Sequence, residues 1–290
     1  IVLDDLDPAC AAEDWKSLRK LAVDPLGLGN EVKRLFVSPT GSLSYAPFCL
    51  LVPDQEVICV PSATTYGVLL DEPRKRGEGV LAVGDPDHGT RPDADTLSVL
   101  RGGVDLAPLP ATREEATAVG STLLLGNEAT EERLLSMTGG KRWRAVHLAC
   151  HGLVNPERPQ LSSLALSGGD FLTTLEIFRS TIPADLVVLS ACETAKGKAY
   201  RAEGVVGLAR AFMFAGAPRV IVSLWKVDDK ATKALMIKFY ELWNPKDGSK
   251  GLPTATALKK AMEFVRDQPD KPEWKHPKYW AAWQLWGLPD

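Results

Sequence analysis

The sequence predicts an α/β fold built on a mainly parallel sheet, and three observations carry that expectation. Leu186–Thr194 (LVVLSACET) and Ala145–Gly152 (AVHLACHG) are short apolar runs that stop abruptly at polar or reactive residues. Such runs fit strands buried on both faces, as in a parallel sheet with helices on either side. Strand-like runs also alternate with helix-length segments along most of the chain. Finally, 45% hydrophobic and 24% charged residues among 290 are ordinary for a globular protein with a sizeable core.

Taken in order, residues 1–33 read as an N-terminal helix (Ala11–Ala22) and linker, the end of a preceding region, with 34–290 as one domain. Arg34–Ser38 reads as a strand, Pro39-Thr40-Gly41 as a turn and Ser42–Tyr45 as the returning strand of a hairpin. Glu56–Val60 is a short strand, Ser62–Leu70 a short helix, Asp71–Gly79 a loop and Val80–Val83 a strand. Thr112–Leu124 has helical spacing, and Thr112 with Glu115 forms a capping-box signature. Ala129–Thr138 is a helix capped by Thr130, followed by strands Ala145–Ala149 and Leu161–Leu166. Thr173–Arg179 is a short helix, Leu186–Ser190 a strand, and Gly204–Ala215 a helix ended by Gly216. Strand Val220–Trp225 precedes two closing helices, Lys230–Leu242 and Thr254–Val265.

Composition removes several function classes. A net charge of −3 gives no electrostatic case for nucleic acid or an anionic membrane. No apolar run approaches the ~20 residues that span a bilayer, and the start lacks the order of a signal peptide. The chain opens on Ile1 rather than Met, which fits a piece of a longer protein. Five cysteines, an odd and sparse set, are not a disulfide framework and point to a reducing, cytoplasmic setting.

In open parallel sheets chemistry collects beyond the carboxyl ends of the strands. His151 and Cys192 stand there if their two runs are parallel neighbours. A thiol attacks as its thiolate, and a nearby imidazole generates that form. Gly152 lets a backbone approach closely, and the N–H groups of Gly152 and Cys192 are candidate oxyanion donors. From spacing alone the alternative stays open, because cysteine in an apolar run usually acts as a small buried hydrophobe.

Longer stretches carry a resemblance. HLACHG (His147–Gly152), SACET (Ser190–Thr194), AEGVVGLARAFMFAGAPRVIVSLWKVDD (Ala202–Asp229) and HPKYWAAWQLWG (His276–Gly287) resemble the CHAT peptidases. SLSYAPFCLL (Ser42–Leu51), PSAT (Pro61–Thr64) and VGDP (Val83–Pro86) add to it, in order from about Leu35 to the end. These are caspase-like and separase-like cysteine peptidases, often attached to TPR repeats. The resemblance implies a caspase-like three-layer α/β/α sandwich, with His151 as base and Cys192 as nucleophile. It implies a protein substrate, no metal or cofactor, and control by a regulatory partner or an N-terminal TPR-like region. Bacterial defence or programmed cell death is the implied context.

In separase-like relatives an acid near the strand ending in Trp225 recognises a basic residue ahead of the scissile bond. That makes Asp229, then Asp228, candidates for substrate binding, with Glu193 and Glu203 as further cases. The competing reading is that Asp228 or Asp229 caps the helix beginning near Lys230. His147 lies four residues before His151, on the same face if both share a strand, but zinc usually needs a third protein ligand. We expect His147 to be buried and hydrogen-bonded. Ala195–Arg201 reads as a solvated loop, or alternatively as an activation or self-cleavage site. Asp85-Pro86-Asp87 superficially resembles the Asp-x-Asp of phosphate-transferring hydrolases, but Gly89 stands where Thr is needed, and no phosphate-binding loop follows. A different class of function, a catalytically silent interaction module docking through Trp274, Tyr279 and Trp280, competes with the peptidase. Core packing explains those aromatics more simply.

Overall fold

The computed structural model describes residues 11–89, 106, 108–155, 158–190, 202–225 and 227–290. In chain order the strands are β1 (Arg34–Val37), β2 (Glu56–Cys59), β3 (Val80–Pro86), β4 (Thr122–Gly126) and β5 (Ala145–Ala149). They continue as β6 (His151–Leu153), β7 (Ser163–Ala165), β8 (Phe171–Thr173), β9 (Val187–Leu189), β10 (Arg219–Ser223) and β11 (Trp283–Gly287). Eight form one sheet in the order β1-β2-β11-β10-β9-β5-β3-β4. Every neighbouring pair is parallel except β10–β11. The short strands β6, β7 and β8 make a separate antiparallel sheet.

The helices are α1 (Ala11–Ala22), α2 (Phe48–Leu51), α3 (Ala63–Asp71), α4 (Pro110–Val119) and α5 (Glu131–Gly139). After them come α6 (Thr174–Arg179), α7 (Ala202–Phe214), α8 (Asp229–Trp243) and α9 (Thr254–Arg266). Strand side chains alternate between the two faces of the sheet. Val146 and Leu148 of β5, Val187 and Leu189 of β9, and Val220 and Val222 of β10 pack with Leu134 of α5, Ile177 of α6 and Phe212 of α7. Ala145, Val188 and Ile221 face the other way, onto Ala116 of α4, Leu235 and Phe239 of α8 and Leu258 of α9. Both faces are covered, so the central strands are mostly apolar, and the architecture is a three-layer α/β/α sandwich. Phe212, Phe239 and Trp286 are wholly buried, each contributing about 2–3 kcal/mol by removal of its surface from water. Gly84 of β3 lets α4 press close: a Cβ there would stand 2.5 Å from the Thr112 carbonyl oxygen.

Several expected elements change. The hairpin over 34–45 does not form, because Gly41–Tyr45 is a 3-10 helix and β1 pairs in parallel with β2. The helix expected over Thr112–Leu124 ends at Val119; Gly120 breaks it and Thr122–Gly126 becomes edge strand β4. Its capping box is absent too: Thr112 Oγ1 donates to the Leu109 carbonyl and Glu115 reaches His147. Thr130 does cap α5, accepting from the Arg133 N–H. Strand β11 was not read from the sequence, yet it sits mid-sheet and is buried along its whole length. Trp274 and Trp280 are buried in the core, and Tyr279 is half-buried against it. The N-terminal helix packs on the domain, with Leu18 joining Ala46, Leu51 and Val52 in a small cluster.

Candidate active site

Because β3, β5, β9 and β10 are parallel, their carboxyl ends lie along one edge of the sheet in the order β10, β9, β5, β3. The chain leaves β5 at Cys150 and enters β6 with His151, whose backbone pairs with Ala165 of β7. His151 is only 7% exposed and Gly152 is buried beside it. Cys192 and Glu193 lie outside the described residues, as does Ala195–Arg201. Cys192 follows Ser190 by two residues, and Ser190, just past β9, is buried with no hydrogen-bond partner for its Oγ among the described residues.

The cysteines nearby are packing residues. Burial pushes the Cys150 thiol up to about 12 and raises Cys59 as well. Neither forms a thiolate near neutral pH.

His147 and His151 do not share a face, because the main-sheet strand stops at Ala149 and His151 belongs to the second sheet. His147 points into the core, wholly buried. Its Nε2 lies 2.9 Å from Glu115 Oε1, and its Nδ1 lies 3.4 Å from the Tyr240 hydroxyl. Burial pushes the Tyr240 hydroxyl up, so it remains an O–H able to donate to Nδ1 while Nε2–H donates to Glu115. This is the buried, hydrogen-bonded role expected for it.

His88, two residues past β3, was not singled out from the sequence. Its ring lies 5.3 Å, centroid to centroid, from that of His151, tilted by 47°. Parallel pairing creates the meeting, since Gly84 stands opposite Ala149. A histidine just beyond a strand end was the available signal.

On the other flank of β9, Asp228 and Asp229 follow β10 and are exposed. Asp228 Oδ1 accepts from the N–H groups of Lys230 and Ala231, at 3.1 and 3.0 Å. Asp228 therefore performs the capping role weighed against substrate contact. Asp229 opens the first turn of α8. Glu203 is the second residue of α7.

Near the small sheet, desolvation first, then Glu176 and Asp170, push the Glu131 carboxyl up to about 7. A carboxyl raised on folding stabilises the protein below its unfolded pKa, and that contribution is lost as pH rises through about 7. Glu131→Gln is expected to flatten the fall in melting temperature between about pH 5 and pH 8. Equal falls in both proteins would remove the assignment.

Among the described residues no helix is long and apolar enough to cross a membrane, and no group of three His, Cys, Asp or Glu is placed to hold a metal.

Comparison with known proteins agrees with this architecture. The chain is 32% identical over 222 residues to human tetratricopeptide repeat protein 28, covering 62% of this chain and 8% of that protein. The mouse protein is 30% identical over the same length, with 9% of it covered. The chain thus spans less than a tenth of these relatives. Among solved structures, the separase of the Saccharomyces cerevisiae separase–securin complex superposes with a TM-score of 0.58 at 18% identity, over 90% of this chain and 16% of that one. The Arg-specific cysteine proteinase gingipain R gives 0.52 at 13% identity, over 96% and 68%. At such identities the likeness is one of fold, the caspase-like sandwich. The sequence profile of the CHAT domain matches residues 13–288, nearly the whole chain, and the chain belongs to the CHAT domain family.

Proposed function

We propose that this chain is a cysteine endopeptidase that cleaves a protein substrate through a His151/Cys192 dyad. The observation that supports it most is His151 at the carboxyl end of β5, beside the neighbouring strand β9, whose chain reaches Cys192 three residues after Leu189. In this reading the Cys192 thiolate attacks the scissile carbonyl, and the oxyanion that forms is held by the N–H groups of Gly152 and Cys192. His151 gives its proton to the departing amine, then takes one from water as that water attacks the thioester. The products are a free carboxylate and the regenerated thiol.

Asp229 is the better-placed acid for a basic residue ahead of the scissile bond, because Asp228 is engaged as a helix cap. Glu193, next to the nucleophile, is a second candidate contact. The TPR relatives and the separase–securin neighbour favour control by a protein partner or an attached TPR-like region. A reducing, cytoplasmic setting suits a chain whose buried Cys59 and Cys150 are free thiols.

A thiol-reactive peptidyl probe tests the reading. Labelling of Cys192 is expected in the wild type and lost in Cys192→Ala and His151→Ala. Inertness of the wild type, with its natural partner present, favours the silent interaction module instead. A peptide-library digest tests the pocket, since cleavage after apolar or acidic residues removes the role given to Asp229 and Glu193.

A further inference from the structure

Two imidazoles meet at the sheet's edge, and only one is used by the mechanism above. His88 is held there by its backbone. Asp85 adopts a left-handed conformation (φ 47°), with its N–H donating to Thr112 Oγ1 and its carboxylate paired with Arg113 at 2.9 Å. The β3–β4 register shifts between Gly84 and Pro86, and irregularities of this kind re-aim side chains beside active sites. The next turn is pinned to the β7–β8 connection. The Asp87 N–H donates to Ser167 Oγ, and the Gly168 N–H donates to the Asp87 carbonyl. The same small sheet carries His151, so both rings are fixed relative to one scaffold. His88 is 7% exposed, as buried as His151.

We propose that His88 is a positioning residue for His151: its ring packs on the base, and the two imidazoles titrate as a coupled pair holding one proton near neutral pH. This deepens, and rests on, the assignment of His151 as the catalytic base. Most of the acids near the pair are already engaged, so the repulsion between the two rings is the main effect on a second proton. Asp85 is neutralised by Arg113 of α4, and Glu128, before α5, is paired with Arg133. Asp170 of the β7–β8 connection faces Glu131, and the neighbouring Cys150 stays protonated. That leaves Asp87, with no cationic partner among the described residues. Two imidazolium rings at this separation repel, so the second proton binds more weakly than the first. Sharing one proton between the rings keeps His151 neutral for part of the time, as a base that must take a proton from water requires.

The test is nuclear magnetic resonance titration of isotope-labelled histidines, of which the chain has four, in wild type, His88→Phe and His151→Asn. In the wild type each ring of the pair should follow two steps separated by about one pH unit or more. His88→Phe, which keeps a ring but removes the proton, should abolish the step that His151 shares with His88; His151→Asn should leave His88 with a single step. The pH profile of Cys192 alkylation by iodoacetamide should shift with His88→Phe by a comparable amount. His88→Gln replaces the Phe variant if the latter melts early. Unaltered, single-step curves for His151 in wild type and variant overturn the pairing. Coupled rings with alkylation of Cys192 insensitive to both histidines would keep the pair and sink the peptidase reading instead.

Discussion

His151→Ala is expected to lower kcat/KM for a cleaved peptide by about 1,000-fold, within the range that positioned proton transfer contributes. The loss should fall on kcat, with KM nearly unchanged, because the imidazole acts in the chemical steps, generating the thiolate, protonating the departing amine and activating water. The side chain can be removed without dismantling its surroundings. His151 is tied into β6 through the backbone ladder to Ala165, so the melting temperature should fall by only a few degrees. His151→Gln separates the chemistry from the packing. It keeps volume and hydrogen bonding but transfers no proton, so it should be as inactive as the alanine variant, with Cys192→Ala setting the floor. Activity of either His151 variant within about threefold of wild type would overturn the dyad, since a base in this role contributes at least about 100-fold.

The part of the site readable in the sequence is the part that local pattern encodes. Strands β5, β9 and β10 are buried on both faces, so Ala145–Ala149, Leu186–Ser190 and Val220–Trp225 stand out as mainly apolar runs, interrupted only by His147 and Ser223. Their abrupt ends mark His151 and the approach to Cys192. Pattern failed where the partner was distant or the run ambiguous. Leu123-Leu124-Leu125 continues the spacing of α4, so edge strand β4 was absorbed into the helix, with Gly120 the only punctuation. Pro39-Thr40-Gly41 suggested a local hairpin, but β1 finds its partner in β2, beyond α2. Strand β11 lies in an aromatic-rich stretch interrupted by Gln284, whose amide donates to the Ala46 carbonyl and so fits a buried position. His88 carries no period at all; the pairing of β3 with β5 and the pin of Asp87 to the β7–β8 connection bring it to His151. The spacing of His147 and His151 misled for a related reason, since the break at Cys150 cancels the parity of a continuous strand.

At the opposite end of the sheet, Asp185→Ala is expected to destabilise the fold by about 3–5 kcal/mol, the usual cost of stranding buried charges. Asp185 precedes β9 and is 5% exposed. Its Oδ1 accepts from Arg142 Nε at 2.8 Å, while Oδ2 accepts from the Gly77 N–H at 2.9 Å and from Arg144 at 3.2 Å. Its carbonyl oxygen takes a further bond from Arg219 at 3.1 Å. One carboxylate therefore serves two guanidinium groups and a backbone donor, and apart from it Arg142 keeps a bond to the Ala184 carbonyl at 2.8 Å. Arg144 is stacked over the Trp243 ring at 3.8 Å, its Nε buried and without a hydrogen-bond partner among the described residues. Burial, ahead of any charge effect, lowers the Arg219 guanidinium to about 10. Asp185→Asn keeps an acceptor but not the charge, so its loss should be roughly half as large. Urea unfolding at neutral pH measures both. Because Asp185 lies beyond the amino end of β9 and His151 beyond the carboxyl end of β5, the surviving folded fraction should react with a thiol-directed probe at the wild-type rate. A loss below about 1 kcal/mol would mean that water replaces the carboxylate at little cost, as it does for exposed pairs. The cluster would then be a surface feature, and the anchoring of β9 ahead of Cys192 would have to come from apolar packing alone.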